Sequence, residues 1–504
     1  MSNVRIIKTG LAILFIYSIL CLLFKHIFEN GPTIENLYRS LRDRVYGMLH
    51  ELPANTDAYI INSYYYPESK SLGKNALAMV LLINRNTKNL ANYKMTVIGS
   101  NATHSVTNEP EFLKKEVFTG CTYVSVVAKT QLLPEMTKLE IASGETKMEI
   151  PFRQPHKKSP KPVVICITPQ FLSEQWQMFV TQAHVAKRFG GHLHMYITSM
   201  VGTYYQLVKE YEKKGYVTID YWIRPKFSSS PDSLDPNPNS EFRNQAGAYT
   251  DCLLQYKESA TFITFLDLDD VMFPRGFDTY YEEFAFLSFT NPTIRTFIYD
   301  RRNYMIYREP EIDNINFEEA FGHSWYNPEL VTAGKVMARP SMLDSMWIHA
   351  SYNTEEHEKL HVKHNFAYHL KRLKERDESE LAIMDMELVE MKEITNDKKI
   401  LASIQEDFRR MMDLPEVRKI SVTLQKDNFF LPIMMKCYID QHYEKSIFEK
   451  FESCSNSEGC EIPQREDLKC VHSEATYISG PRMSPITFHY HINPWFAIDV
   501  HCSQ

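Results

Sequence analysis

The chain contains little glycine and no excess of basic residues. Its 504 residues include 17 Gly, and 56 Lys and Arg are outnumbered by 63 Asp and Glu, for a net charge of −7. So little glycine leaves small room for long flexible linkers, and an apolar content of 44% excludes a disordered chain. The acidic balance argues against electrostatic wrapping of nucleic acid, so we expect no DNA or RNA partner.

A long apolar run lies near the N-terminus. Thr9 to Phe24 carries no charge, and the run extends to Phe28 if Lys8 and Lys25 reach toward lipid headgroups. A helix of that length spans ~30 Å, enough for a thin bilayer. No small-x-small cleavage site follows, which favours a membrane anchor over a cleaved signal peptide. The sequence therefore predicts a transmembrane helix over residues 9–28.

The charges beside this run predict its orientation. Arg5 and Lys8 precede it without an acidic residue, which places a short tail, residues 1–8, in the cytosol. A stem over residues 29–56 and all that follows would then lie on the far side of the membrane. We expect a single-pass type II protein of the secretory pathway, with its folded part in the lumen.

The sequence contains no C-x-x-C pair, which makes a structural zinc site improbable. Eight cysteines follow Cys21, and in an oxidising lumen we expect them to form disulfides, with the pairing left open. Five of them lie in the C-terminal region, which predicts a disulfide-stapled lobe over residues 414–504. Asn101-Ala102-Thr103 is a glycosylation sequon and predicts a modified Asn101, whereas Pro292 spoils a second candidate.

Residues 57–155 have the pattern of a small antiparallel β-domain. β-rich runs alternate with turn signals, as in AYIINSYYY, ALAMVLLIN, YKMTVIG, TYVSVVAK, KLEIASG and KMEIPF. We find no residues there that indicate chemistry. The polar, proline-bearing segment RQPHKKSPKP then marks a domain boundary.

Beyond that boundary, over residues 160–370, strands alternate with helices. Four short apolar runs predict buried strands: VVICI, LHMYIT, VTIDYW and TFITFL. Between them, apolar residues recur at helical spacing. This order predicts an α/β fold with a mostly parallel sheet and flanking helices, in which ligands bind beyond the carboxyl ends of the strands. The last of these strands points at whatever follows Leu266.

Three carboxylates follow Leu266 within four residues. Asp267, Asp269 and Asp270 would repel one another strongly unless a cation or backbone N–H groups offset their charge. Hard oxygen ligands suit Mg²⁺ or Mn²⁺, and such an ion can hold a diphosphate and neutralise its charge as it departs. The alternative is an Asp-rich turn that caps the next helix.

Two enzyme classes place a D-x-D after an apolar strand. In haloacid-dehalogenase-like phosphatases it opens the domain and is followed by Thr or Ser, whereas here three strands precede the one that carries the motif, and Val271 takes the place of the Thr or Ser. In nucleotide-sugar glycosyltransferases of the GT-A type, the D-x-D follows a β-α-β-α-β half. The order of elements favours the second class.

Four blocks between Lys161 and Tyr368 carry a more specific resemblance: VVICITPQFLSEQWQMFVTQAHVAKRFGGHLHMYITS, YEKKGYVTIDYW, RNQ-x5-DCLLQYKESATFITFLDLDDVMFP and GKVMARPSMLDSMWIH. Together they resemble glycosyltransferase family 92. The resemblance implies an inverting, Mn²⁺-dependent (or Mg²⁺-dependent) GT-A domain in a Golgi type II membrane protein. It also implies transfer of galactose from a UDP-sugar donor to a glycan acceptor, with fucose on N-glycan cores as the known example.

The resemblance also assigns roles to particular residues. Asp267 and Asp269 would meet the metal and the donor diphosphate, and Asp270 would orient them or contact the donor sugar. His349 stands where GT-A enzymes often supply a third metal ligand. Three residues on the preceding helix would position the nucleotide sugar, unless they form a solvated helix face: Arg243, Gln245 and Asp251. Inversion needs a carboxylate base, for which the candidates are Glu318, Glu319 and Asp344.

One motif points elsewhere. His357-Glu358-Lys359-Leu360-His361 matches H-E-x-x-H, which on a helix places two imidazoles on one face for Zn²⁺, as in metalloproteases. The charged residues around it argue against a buried zinc helix.

The charged segment over residues 371–413 is helix-prone and predicts an exposed helical insertion. A non-catalytic, glycan-binding luminal module is a further alternative.

Overall fold

The computed structural model describes residues 56–84, 95–113, 120–227, 235–307, 311–322, 325–351, 354–373, 389–390, 397–444 and 454–502. The predicted tail, anchor and nearly all of the stem lie outside these residues. Within the described ranges, no helix is both long enough and apolar enough to cross a bilayer.

The N-terminal region consists of strands, as its alternating pattern predicts. They are β1 (Thr56–Ser69), β2 (Gly73–Asn84), β3 (Met95–Ser100), β4 (Ser105–Asn108), β5 (Glu111–Leu113), β6 (Tyr123–Gln131), β7 (Lys138–Ser143) and β8 (Thr146–Glu149). All pairings among these strands are antiparallel. The predicted β-rich region is therefore confirmed.

The central region alternates strands and helices in the predicted order. It begins with β9 (Val163–Gln170), α1 (Trp176–Arg188), β10 (Gly191–Ile197), β11 (Ser199–Val201), α2 (Gly202–Lys213), β12 (Val217–Tyr221), α3 (Gln245–Tyr256) and β13 (Phe262–Leu266). It continues with β14 (Asp270–Met272), α4 (Tyr280–Thr290), β15 (Thr296–Tyr307), α5 (Phe317–Gly322), β16 (Trp325–Ala338), β17 (Lys359–Leu373) and β18 (Val389–Glu390). The C-terminal elements are α6 (Lys398–Met412), α7 (Pro415–Ser421), α8 (Phe430–Tyr438), β19 (Lys469–Ser479) and β20 (Ile486–His501).

The central sheet has the strand order β12-β10-β9-β13-β16-β15-β17-β14, with β18 beside β16. Its first four strands run parallel, as predicted. Beyond β13 the sheet is mixed, because β16 runs antiparallel to both β13 and β15. The carboxyl end of β13 therefore lies beside a strand that approaches from the opposite direction.

Residues of β9 point alternately into two cores, which explains its continuous apolar sequence. Val163, Ile165 and Ile167 pack with α1 and α2, and Val164 and Cys166 pack with α3. On that second side, β1 and β2 cover α3. The four-stranded sheet β4-β3-β7-β8 packs on the outer side of β1 and β2.

The C-terminal strands do not form a lobe of their own. They join the N-terminal strands in a seven-stranded sheet with the order β11-β19-β20-β1-β2-β6-β5, in which β20 pairs with β1 in parallel. The sequence did not predict this pairing, because parallel partners so far apart leave no local signal.

The eight cysteines in the described residues pair as Cys121–Cys454, Cys166–Cys252, Cys437–Cys460 and Cys470–Cys502. The predicted disulfides are therefore present. Two of them lie within the C-terminal region, whereas the first joins that region to Cys121, two residues before β6, and the second joins β9 to α3. The C-terminal region is thus fastened to the N-terminal strands covalently as well as by strand pairing.

The predicted helical insertion differs from the structure at its N-terminal end. Residues 371–373 belong to strand β17, whose sequence places apolar residues at every second position, as in Leu360 and Val362. Most of the segment lies outside the described residues. Its C-terminal end is α6, which begins at Asp397 as N-cap and buries Leu401, Ile404 and Phe408 rather than standing exposed.

Candidate active site

The three predicted carboxylates meet in a tight turn at the end of β13. Carboxylate oxygens of Asp267, Asp269 and Asp270 all lie within 4.8 Å of one another. The Asp270 backbone N–H donates to the Asp267 carbonyl at 3.1 Å, and the Asp267 N–H donates to Asp270 Oδ2 at 3.1 Å. Asp270 is 0% exposed, and its buried carboxylate orients the turn through the bond from the Asp267 N–H. The carboxylates of Asp267 and Asp269 stay partly accessible to solvent.

A buried lysine that the sequence did not single out lies against this turn. The register of β13 and β16 pairs Phe265 with Val336, which brings Lys335 beside the aspartates. Lys335 Nζ lies 2.5 Å from Asp267 Oδ2 and 3.0 Å from Asp270 Oδ2, and the residue is 1% exposed. Burial alone would lower the pKa of Lys335, but Asp267 and Asp270 raise it above its ordinary value, so the side chain is an ammonium ion.

Gln245 also holds the turn in place. It is the first residue of α3, and its Nε2 donates to Asp267 Oδ1 and to the Tyr249 hydroxyl, each at 3.0 Å. Of the three residues predicted to position the donor, Gln245 therefore lies directly beside the D-x-D. On the other side, Arg301 Nη1 lies 3.8 Å from Asp267 Oδ2.

The backbone that leads into Gln245 has an unusual conformation. Phe242, Arg243 and Asn244 all have left-handed φ angles, 44°, 57° and 58°. Such a conformation costs about 1–2 kcal/mol for each residue that is not glycine. A strained segment of this kind persists only where its surroundings hold it, and such segments cluster at functional sites.

The C-terminal region supplies that support. The Phe242 N–H donates to the Ser455 carbonyl at 2.8 Å, and Arg243 Nη1 donates to Ser457 Oγ at 2.8 Å. Asn456 Nδ2 donates to the Asn237 and Ser240 carbonyls at 2.5 and 2.7 Å. We call residues 454–460, whose ends are fixed by the Cys121–Cys454 and Cys437–Cys460 disulfides, the support segment.

His349 lies close enough to Lys335 and Asp267 for their charges to act on it, but it is not part of the group of ligand atoms within 4.8 Å of one another, and its role as a metal ligand stays a prediction. Its Nδ1 lies 2.7 Å from the Gly334 carbonyl, and since a carbonyl only accepts, Nδ1 carries the proton and Nε2 carries the lone pair. Burial and the Lys335 ammonium lower the pKa of His349, although the Gly334 carbonyl and Asp267 oppose this effect. A neutral imidazole with Nε2 unprotonated is the form that binds a metal.

These residues fit a divalent cation. Three clustered carboxylates offer the hard oxygen ligands that Mg²⁺ and Mn²⁺ prefer. The carboxylate cluster is the one such group among the residues that the structure describes. The identity of the metal stays a prediction.

Asp251 lies elsewhere on α3, in the layer between the two sheets. Its Oδ1 accepts hydrogen bonds from Asn62 Nδ2 and the Tyr64 hydroxyl, both at 2.7 Å, and its Oδ2 accepts one from the Tyr196 hydroxyl at 2.6 Å. The helix face that carries it is buried rather than solvated. These contacts give Asp251 a structural role in joining β1 to the central sheet, and its predicted contact with the donor stays untested.

Asp344 is a weak candidate for the base. It is 4% exposed, and its carboxylate accepts from Ser71 Oγ at 2.6 Å and pairs with Lys129 and Lys257, each at 3.2 Å. Burial alone would raise the pKa of Asp344, but Lys257, Ser71 and Lys129 bring it below its ordinary value. A carboxylate held by two ammonium groups is a poor proton acceptor.

Glu318 and Glu319 lie in the first turn of α5 and are exposed. Glu318 Oε1 lies 3.8 Å from Lys398 Nζ. Both carboxylates are accessible to solvent, and their role as the base stays a prediction.

The H-E-x-x-H residues do not form the helix that the zinc-protease alternative requires, in agreement with the argument from the charged residues around them. Glu356–Glu358 form a 3₁₀ turn, and the following residues belong to strand β17, so the two histidines do not share a helix face. The side chains of His357 and His361 are 74% and 61% exposed and lie near Glu355 and Asp300. The alternation of apolar residues at every second position favours a strand here, and the residues of the motif accordingly do not form a helix.

Asn101 lies in the turn between β3 and β4. Its Oδ1 accepts from the backbone N–H groups of Thr103 and His104, both at 2.9 Å, and its Nδ2 donates to the Pro134 carbonyl at 3.1 Å. The sequon thus occupies a surface turn, and its glycosylation stays a prediction.

Four parallel strands joined through helices, the last of which ends in a D-x-D turn, form the arrangement expected of a GT-A glycosyltransferase. The sequence model of glycosyltransferase family 92 matches residues 161–412. The chain is 39% identical over 509 residues to glycosyltransferase family 92 protein ZK381.2 of Caenorhabditis elegans, covering 99% of each chain. It is 37% identical over 473 residues to protein F55C10.4 of the same family and organism, covering 89% of this chain and 91% of that one. The chain belongs to glycosyltransferase family 92.

Among solved structures, Staphylococcus aureus TarS residues 1–349 in complex with UDP-GlcNAc aligns with 51% of this chain and 68% of that chain. The identity is 12% and the TM-score is 0.22, a likeness too low to support any conclusion about this chain.

Proposed function

We propose that this glycosyltransferase moves galactose from UDP-galactose to a glycan hydroxyl, with inversion at the anomeric carbon and with Mn²⁺ or Mg²⁺ bound by the aspartates. The observation that carries the proposal is the meeting of Asp267, Asp269 and Asp270 within 4.8 Å at the carboxyl end of β13. The donor sugar and the inverting course follow from the family resemblance of the sequence blocks.

In this proposal each residue at the turn has a separate task. Asp267 and Asp269 hold the cation, which when bound neutralises charge on the donor diphosphate. Asp270 and Gln245 keep Asp267 oriented through hydrogen bonds at 3.1 and 3.0 Å. Orientation and charge stabilisation of the departing UDP then supply most of the rate enhancement.

The acceptor hydroxyl loses its proton to a carboxylate on the side opposite the leaving UDP. Glu318 and Glu319 are the candidates, because they are exposed at the start of α5 and Asp344 is tied to two lysines. The proposal places the reaction in the Golgi lumen of a type II membrane protein. Support for that placement comes from the apolar run over residues 9–28, the flanking charges and the disulfides.

The test is a donor panel on the full chain in detergent. UDP-galactose, UDP-glucose and UDP-GlcNAc are offered with a fucosylated N-glycan acceptor, with Mn²⁺, with Mg²⁺ and with a chelator. We expect metal-dependent transfer from UDP-galactose, and a loss on the order of 100-fold or more in kcat/KM for Asp269→Asn. Transfer from another UDP-sugar would change the proposed donor sugar and leave the rest of the proposal intact.

His357→Ala is the matched control, because its side chain is 74% exposed and is not part of the described carboxylate cluster. This variant should keep full transferase activity. If the protein were a zinc protease, the same variant would lose peptide cleavage. Release of phosphate from small phosphoesters would instead support the phosphatase alternative. Binding of glycans without consumption of any UDP-sugar would support a non-catalytic module.

A further inference from the structure

Lys335 already occupies the side of the D-x-D turn where two carboxylates converge. Its ammonium lies 2.5 Å from Asp267 Oδ2 and 3.0 Å from Asp270 Oδ2, and Arg301 adds a second cationic group 3.8 Å from Asp267 Oδ2. Much of the negative charge that attracts a metal ion is therefore offset by the protein itself.

Lys335 cannot withdraw easily when a metal ion arrives. The residue is 1% exposed on β16, and Asp270, which it pairs with, is 0% exposed. Gly334, the residue before it, fits tightly, because a Cβ there would lie 2.7 Å from the Tyr299 carbonyl. The ammonium thus stays near the carboxylates and repels a divalent cation that binds among them.

A diphosphate reverses this balance. It brings negative charge to the same place, and it can accept hydrogen bonds from a lysine ammonium, which is a common ligand of phosphate groups. We infer that Lys335 keeps the metal affinity of the turn low until a nucleoside diphosphate is present, so that metal and donor bind as a coupled pair. The inference rests on the proposed nucleotide-sugar donor, and by linkage the coupling acts equally in both directions.

Mn²⁺ titration of the full chain, followed by electron paramagnetic resonance of free Mn²⁺, tests this inference without any measurement of turnover. In the parent, UDP should tighten Mn²⁺ binding at least tenfold. In Lys335→Met, which keeps the length of the side chain but removes its charge, Mn²⁺ alone should bind at least tenfold more tightly than to the parent. The effect of UDP should then shrink to a few-fold. Equal or weaker binding of Mn²⁺ alone to Lys335→Met overturns the inference.

Lys335→Met removes the ammonium that pairs with the buried Asp270 carboxylate, so near-UV circular dichroism must first show a folded protein. If it is unfolded, Arg301→Gln decides, since this side chain is more exposed: Mn²⁺ alone should bind two- to threefold more tightly, and unchanged or weaker binding contradicts the inference. Lys335→Arg keeps the charge and should retain the coupling seen in the parent.

The outcome for the proposed function can be separated from this result. Coupled binding of Mn²⁺ and UDP without transfer to any acceptor would sink the proposed function alone. Metal-dependent transfer together with an unchanged Mn²⁺ affinity in Lys335→Met would sink the inference alone. No Mn²⁺ binding to the parent, even with UDP, would count against both.

Discussion

Arg243 donates a hydrogen bond to Ser457 at 2.8 Å, which joins the strained backbone before α3 to the support segment. Ser457→Ala removes this bond, so Arg243 and the neighbouring Gln245 should lose their fixed placement. We expect the KM for the donor to rise about three- to tenfold, with kcat changed less, because the loss of one such bond amounts to about 1 kcal/mol. Steady-state kinetics with varied UDP-sugar would measure this.

Ser403→Ala is the matched control for that experiment, because Ser403 Oγ accepts a similar bond from Arg188 Nε at 3.0 Å on α6. It should leave the donor KM unchanged. Ser457→Thr keeps the hydroxyl and should restore the parent value. Equal effects of the two alanine variants would show that Ser457 contributes only to general stability.

Asp251→Asn should destabilise the fold and leave donor binding intact. The carboxylate accepts bonds from Tyr64, Tyr196 and Asn62, and an amide cannot accept all of them, so we expect a loss of about 2 kcal/mol in the free energy of unfolding. Urea unfolding and UDP binding by calorimetry would be compared. Weaker UDP binding at unchanged stability would support the donor contact that the family resemblance implied.

Asp220→Asn serves as the comparison, because Gln255 Nε2 donates both to Asp220 Oδ2 at 3.1 Å and to Asp251 Oδ2 at 3.0 Å. Burial and the nearby Asp251 carboxylate raise the pKa of Asp220, although Arg153 opposes this, so its charge is already costly in the folded state. Its neutralisation should therefore cost less stability than Asp251→Asn.

Asp344→Asn should be among the more destabilising single substitutions. It removes the carboxylate that pairs with the Lys257 ammonium, which is 0% exposed, and a buried charge left unpaired costs about 3–5 kcal/mol.

Glu318 and Glu319 lie on an exposed turn, so Glu318→Gln and Glu319→Gln should change the free energy of unfolding by less than about 0.5 kcal/mol. If one of these two glutamates is the base, its variant alone should lose turnover while the melting temperature stays unchanged.

The stability of the protein should fall as the pH drops from 6.5 to 4. Burial lowers the pKa of His194 and of His491 to about 4, and burial together with His194 lowers the pKa of His192 to about 4. The unfolded chain, with a histidine pKa of about 6.5, binds more protons in this window, so each group costs up to about 1.4 kcal/mol per pH unit.

Urea unfolding at several pH values would measure that slope. His194→Gln removes one of these groups and should make the slope shallower between pH 6.5 and 4, with no change in slope between pH 7 and 8. A slope equal to that of the parent in the acidic window would contradict the assignment of His194.

The carboxylate turn could be predicted from the sequence because its residues are consecutive and follow a strand with a clear apolar pattern. Lys335 could not, because it reaches the turn only through the register of β16 against β13, and pairing between distant strands has no local signal. A lysine inside the otherwise apolar run Gly334–Ala338 was the one available indication. The strand at residues 359–373 was missed for a different reason, because its charged residues masked the alternation of Leu360 and Val362.

The parallel pairing of β1 with β20 has a consequence for biosynthesis. A nascent chain that has left the ribosome as far as β8 still lacks the neighbour of its first strand, and the backbone of β1 offers an open edge until residues 486–501 arrive. A premature stop codon upstream of these residues should therefore yield a product that aggregates or is degraded, even though the carboxylate turn itself is intact.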